Sequence, residues 1–171
     1  MLQLTGCLLI IAGCTGIAAV LCGDLRSRLL LLRQISEIYE DMKYYISYQK
    51  ATVPETLLRL SEREKEPFSE AFLAIYERMN EQGGNLPEIW REQMEKALTH
   101  TPLQAKEKKL MLDFPSCLGY MEEGAQAGAL NELLREAVRQ TEELSGEQKN
   151  KNKMMMSLGV AGGVLLSIML L

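Results

Sequence analysis

Histidine is almost absent from this chain of 171 residues, with His100 the only one. Cysteine is no better placed for chemistry: Cys7, Cys14 and Cys22 share one uncharged stretch, and Cys117 stands alone in the charged part. One histidine and one such cysteine cannot make the four-ligand set that zinc prefers. Three cysteines inside an apolar run behave as small hydrophobes, so no disulfide framework is expected and a reducing compartment is. No alternation of period two persists beyond a few residues, which excludes a sheet. The formal net charge is −4 with acids and bases interleaved, which disfavours nucleic acid as a partner.

Catalytic groups are equally scarce. His100 abuts Thr101-Pro102, whereas the phosphoacceptor histidine of sensor kinases precedes its Thr-Pro pair by most of a turn, and no nucleotide-binding glycine motif accompanies it. It reads as a loop histidine. Gly83-Gly84-Asn85 lacks the spacing of a phosphate loop and reads as a helix end and turn. Glu122-Glu123 and Glu142-Glu143 are neighbours in sequence, so each pair diverges on a helix surface and stays solvated. With no clustered acid, base, nucleophile or metal ligands, neither an enzyme nor a cofactor site is expected.

The most informative absence is that of charge at the two ends. Every charged side chain lies between Asp24 and Lys153, while residues 1–23 and 154–171 carry none. Each end run approaches the ~20 apolar residues that a helix needs to cross ~30 Å of hydrocarbon. Neither run shows the polar face of a globular helix. Both are therefore expected to be transmembrane helices, with a single domain over residues 24–153.

Arg26, Arg28 and Arg33 follow the first run, Lys149, Lys151 and Lys153 precede the second, and the far sides carry no basic residue. Positive flanks stay cytoplasmic, so the central domain should be cytoplasmic and both termini extracytoplasmic. A cleavable signal would need a basic segment before the apolar run, and Met1-Leu2-Gln3 offers none. Ile11-Ala12-Gly13-Cys14 fits a lipoprotein pattern, but the apolar run continues past Cys14, so retention as a span is expected.

Helical spacing recurs through the middle. Ile35, Ile38, Tyr39, Met42, Tyr45 and Ile46 share one face, so the first helix should run on to about Tyr48 and end at Gln49-Lys50-Ala51. Thr52-Val53-Pro54-Glu55, Asn85-Leu86-Pro87-Glu88 and Thr101-Pro102-Leu103-Gln104 each read as a helix start, with a capping residue and proline in the first turn. The first two echo one another and hint at a duplicated helical hairpin.

A helix from Pro67 carries Phe68, Ala71, Phe72, Ile75, Tyr76 and Met79. The next should bury Trp90 as a core anchor with Leu86, Ile89, Ala97 and Leu98. The last carries Leu130, Leu133, Leu134, Ala137, Val138, Thr141 and Leu144, and lacks a strong stop before the second apolar run apart from Gly146. Pro115 should break the helix before it around Phe114-Pro115-Ser116. One apolar stripe per helix gives an all-α, antiparallel bundle of about six helices, flanked by the two transmembrane helices.

Two interaction features remain. Lys106, Lys108 and Lys109 form the one local basic cluster; the plain reading is a solvated helix face, and as a contact it is the candidate for a protein partner or the acidic lipid surface. Gly159 and Gly163 form a G-x-x-x-G, a spacing that lets membrane helices approach closely, and are the candidate packing residues, within or between copies of the chain.

Several of these features together resemble the stage III sporulation protein AB family. They are the short apolar start with its basic linker, the long helix before a Thr-x-Pro-Glu start, and the tryptophan helix after a Gly-rich turn. To these are added Phe114 to Glu122 with Leu118-Gly119, and the tail from Lys153 through Ser157-Leu158-Gly159-Val160. The family usually has Phe-Gly where this chain has Phe114-Pro115, and aspartate at Glu122.

The resemblance implies a component of the secretion-like complex between mother cell and forespore, in the mother-cell membrane around the forespore. It also implies a cytoplasmic domain similar to the type II secretion system F platform protein. Its implied partners are a cytoplasmic secretion-type ATPase and other membrane proteins of the complex, with this chain a scaffold without catalysis. The alternative reading is a two-span, membrane-tethered helical adaptor that regulates a signalling or proteolytic partner.

Overall fold

The computed structural model describes the backbone of residues 2–82, 85–118 and 123–170. It describes the side chains of 23–81, 85–116, 125–151, 153, 154, 157 and 161. Every regular element in these residues is helical: α1 Leu2–Lys43, α2 Val53–Arg63, α3 Phe68–Gln82, α4 Leu86–Thr99, α5 Ala105–Leu112, α6 Phe114–Leu118 and α7 Glu123–Leu170. A π-helical turn, Tyr44–Tyr48, follows α1 directly. The chain divides into two compact units, one of Met1–Leu29 with Glu142–Leu171 and the other of Leu30–Thr141.

Among the described residues no helix is long and apolar enough to cross a membrane. The expected spans at 1–23 and 154–171 lie almost wholly outside the described side chains. The breaker Gly83-Gly84 also falls outside the described residues.

Within 30–141, α1 contributes Leu32, Ile35, Ile38, Tyr39 and Met42 to the core, and Leu57 and Leu60 come from α2. Phe68, Ala71, Phe72 and Ile75 come from α3, and Ile89, Trp90, Met94 and Leu98 from α4. Each set repeats every three or four residues, as burial of one helical stripe demands. Met94 completes the α4 stripe where Ala97 was expected, since Ala97 is only half-buried. In α7, Leu130 and Ala137 are buried, whereas Val138 is exposed. Antiparallel pairing of α1 with α2 shows in their side-chain bonds: Gln49 to Arg59, Asp41 to Arg63 and Gln34 to Glu64.

The helix starts follow local chemistry, with three departures. Thr52 caps α2 by accepting the Glu55 amide at 3.4 Å, and Pro54 sits in the first turn. Glu55 does not reach back, because its carboxylate is engaged by Arg59 at 2.6 Å. Asn85 caps α4 by position alone, without a side-chain bond.

The fifth helix starts at Ala105, later than Thr101-Pro102 implies. Gln104 and Glu107 form its capping box, while the Thr101 hydroxyl donates back to Leu98 O. It ends at Asp113, not at Pro115. Pro115 has no N–H for the carbonyl four residues back, so it is placed in the first turn of the separate helix α6. The chain thus breaks beside Phe114-Pro115-Ser116, where a break was expected, and α6 is a short helical stretch beyond it. The Thr52–Glu55 and Asn85–Glu88 starts share a proline in the first turn, but only Thr52 makes a side-chain cap bond.

Candidate functional site

The three lysines of the basic cluster all lie on α5, but they do not share a face. At about 100° per residue, Lys106 and Lys109 are neighbours across one turn and Lys108 is turned well away from both. Lys106 and Lys109 are exposed and Lys108 is half-buried. Lys109 is loosely paired with Asp113 at 3.9 Å, and Lys106 lies close enough to Glu136 of α7 to help stabilise its carboxylate. Arg139 first, then Gln140, hydrogen-bonds Glu136 and draws its pKa down to about 2. Gly159 and Gly163 lie on α7, but their side-chain surroundings fall outside the described residues.

A second cluster, unseen in the sequence, joins α1 to the end of α2. Arg63 Nη1 lies 3.0 Å from both carboxylate oxygens of Asp41 and donates to Oδ1. About two helical turns back along α1, Gln34 Nε2 donates to Glu64 Oε2 at 3.1 Å and to Lys65 O at 2.9 Å, tying the α2–α3 turn to α1. Burial pushes the Asp41 carboxyl up, opposed by Arg63 and reinforced by Glu37. Burial likewise raises Glu64, opposed by the Gln34 hydrogen bond and reinforced by Asp41 and Glu37. Gln34, Asp41 and Glu64 lie 7 and 23 residues apart, and only the antiparallel packing of α1 on α2 brings them together. Among the described residues, no group of three or more His, Cys, Asp or Glu side chains is placed to hold a metal ion.

The third feature is aromatic. Tyr44, Tyr45 and Tyr48 are three of the six tyrosines in the chain and fall within five residues, at the π-helical turn. The Tyr44 ring lies 5.6 Å from Tyr45 and 6.3 Å from Tyr48, and the Arg59 guanidinium covers Tyr45 at 5.3 Å. Helical spacing assigns Tyr45 to the core face, where it is half-buried, but does not account for Tyr44 and Tyr48, which are exposed. Their density in the sequence is the signal that could have marked them.

Trp90, by contrast, is a core residue. It is fully buried between Phe72 and Phe114, with ring centroids 5.9 and 4.5 Å away, and its Nε1 donates to Met111 O at 2.6 Å.

Comparison with known proteins places this architecture. The sequence pattern of the family described as Stage III sporulation protein AB matches residues 3–171. A solved structure of a Stage III sporulation protein AB superposes with a TM-score of 0.66 at 15% identity, covering 72% of this chain and 98% of that one. At that identity the superposition speaks for the fold. Among curated proteins, no sequence matches the chain.

Proposed function

The chain belongs to the stage III sporulation protein AB family, and we propose that it is a membrane-held docking platform of the complex between mother cell and forespore. Residues 1–23 and 154–171 cross the mother-cell membrane around the forespore, and both termini lie outside the cytoplasm. Residues 24–153 form a cytoplasmic domain that couples to a secretion-type ATPase and carries out no chemistry of its own. The observation that carries this reading is the extent of the family likeness. It runs over residues 3–171 and so takes in both uncharged runs as well as the helical middle. Two anchors on one small domain hold its orientation at the membrane, as a docking part requires.

Lys106 and Lys109, adjacent on the exposed side of α5, are the proposed electrostatic contact. Charges at a rim mainly set encounter rate and salt sensitivity. The Lys106→Glu, Lys109→Glu double variant should associate more slowly with the ATPase at low salt while its unfolding transition stays in place. Co-purification of the full chain with the ATPase from sporulating cells tests the coupling. Absence of binding at low salt, where electrostatic attraction is least screened, removes the ATPase from this reading.

A further inference from the structure

Two basic flanks that lie far apart in the sequence belong to one compact unit, that of Met1–Leu29 with Glu142–Leu171. Arg26 and Arg28 are its contribution from α1, and Lys149, Lys151 and Lys153 its contribution from α7. Not all five cations are available. Arg28 is half-buried and already engaged, and Lys151 is paired with Glu147 at 3.8 Å. Arg26, Lys149 and Lys153 are exposed and form no ion pair among the described residues. Against them stands Asp24, also exposed. Glu143 lies eleven residues before Met154 and Glu142 one further, about 16 Å along the helix and beyond the ~10 Å over which a charge acts through salt water. With the pairs deducted, the flanks keep three cations against one acid.

Helix geometry carries these three cations to the headgroup layer, which adds about 5–7 Å to each side of the hydrocarbon. Arg26 follows Gly23 by three residues on α1, about 4.5 Å along the axis. Because α1 runs away from its uncharged run, its Cα–Cβ bonds tilt back toward that run. The Arg26 guanidinium is thus directed to the layer rather than away from it. On α7, Lys153 adjoins Met154 and Lys149 lies one turn earlier on the same face, while Lys151 is turned to the far side of the helix. Two ammonium groups one turn apart repel each other. An anion beside them removes that cost.

A phosphodiester fits this chemistry. Guanidinium takes phosphate oxygens in pairs, and ammonium meets them as a point charge. A zwitterionic lipid brings its own cation beside the phosphate, whereas a lipid with an uncharged alcohol headgroup leaves that charge to be met by the protein. Basic groups gathered from two membrane helices on the cytoplasmic side are an arrangement that selects anionic headgroups. We propose that the two flanks together bind anionic phospholipid, with headgroup phosphates held by Arg26 on α1 and by Lys149 and Lys153 on α7. The inference rests on the platform reading, which puts both uncharged runs in one membrane and both flanks on its cytoplasmic side.

The test is native mass spectrometry of the full chain released from detergent micelles that carry phosphatidylglycerol and phosphatidylcholine in equal amounts. Wild type should retain phosphatidylglycerol in preference. Arg26→Gln with Lys149→Gln and Lys153→Gln should weaken that retention on the order of a hundredfold, about fivefold for each charge, with an unchanged circular dichroism spectrum. Lys151→Gln should leave it intact, as should Arg26→Lys with Lys149→Arg and Lys153→Arg, which keeps the charges. Equal retention of the two lipids by wild type, or an undiminished preference in the triple glutamine variant, overturns the proposal. So does a loss as large in Lys151→Gln, or displacement of the lipid by inorganic phosphate at matched concentration. Micelles have no sides, so topology does not enter this measurement, and reporter fusions decide the platform reading separately.

Discussion

Trp90 and Tyr39 show how a polar atom on a core aromatic can decide where it packs. The Tyr39 hydroxyl donates to Leu110 O at 2.6 Å, and Trp90 Nε1 donates to Met111 O at the same distance. Those carbonyls sit in the last turn of α5, where intrahelical donors run out. For Met111 the missing donor is the amide that Pro115 lacks. Trp90→Phe should therefore cost about 1–3 kcal/mol for the buried carbonyl left unpaired. Trp90→Ala should cost about 3–5 kcal/mol, a large part of the ~5–15 kcal/mol that holds a domain together. In a Pro115→Ala background the new amide can serve Met111, so the Trp90→Phe cost should shrink. Denaturant unfolding followed by circular dichroism of the four proteins measures that coupling, and equal costs in both backgrounds would refute it.

Ionisation adds a second expectation for single residues. Asp41 and Glu64 are raised above their ordinary values of 3.8 and 4.5, chiefly by burial. The folded state thus binds their protons more tightly than the unfolded state. Their contribution is fully present below the ordinary values and is lost as pH rises through the folded ones. Glu136 behaves oppositely: its contribution is present above 4.5 and is lost as pH falls toward about 2. Glu64→Gln, which keeps an oxygen for Gln34, should be more stable than wild type at pH 7 and indistinguishable from it near pH 4. The fluorescence of the single buried Trp90 reports both transitions.

At the scale of elements, the helices are fastened at their ends more than along their surfaces. The α2 start uses Thr52, the α5 start uses Gln104 with Glu107, and the α2–α3 turn is held by Gln34 bonding to Lys65 O. The surface ion pairs, such as Arg135–Glu132 and Arg78–Glu92, join well-solvated partners and contribute little. Helix α7 keeps two glycines in its described interior, Gly128 and Gly146, and a methyl group added at either would meet nothing within 4 Å. Gly128→Ala should raise stability by about 1 kcal/mol, the usual difference in helix propensity. A shift in the urea midpoint with an unchanged slope would establish it. Gly146, the only weak point anticipated before the second apolar run, does not stop the helix, because glycine lowers helix stability without removing a hydrogen bond.

For the whole molecule the decisive expectation is topological. Reporter fusions at either end should read as extracytoplasmic and an insertion at His100 as cytoplasmic, because the six basic flanking residues lie on one side only. A terminal fusion in the cytoplasm with position 100 outside would remove both the proposed topology and the ATPase as partner. The purified chain should add no hydrolytic activity to the ATPase preparation beyond what the ATPase shows alone.

Short-range chemistry made the helices legible: apolar residues every three or four positions, proline in first turns, and an end at Gln49-Lys50-Ala51 where Lys50 turns left-handed. The same local pattern identified Trp90 and the stripes of α3 and α4. It could not separate Tyr39, fully buried and bonded to Leu110, from Tyr45, on the same face but only half-buried. Both lie in a continuous helical stretch, and only the neighbour packed against each position distinguishes them. Nor could it show that Gln104 rather than Thr101 caps α5. The raised carboxyls of Asp41 and Glu64 required α2 to fold back on α1. Helix formation depends on bonds spanning four residues and can be read along the chain, whereas burial, ionisation and exposed aromatic surface depend on partners far apart in sequence, which tertiary packing alone supplies.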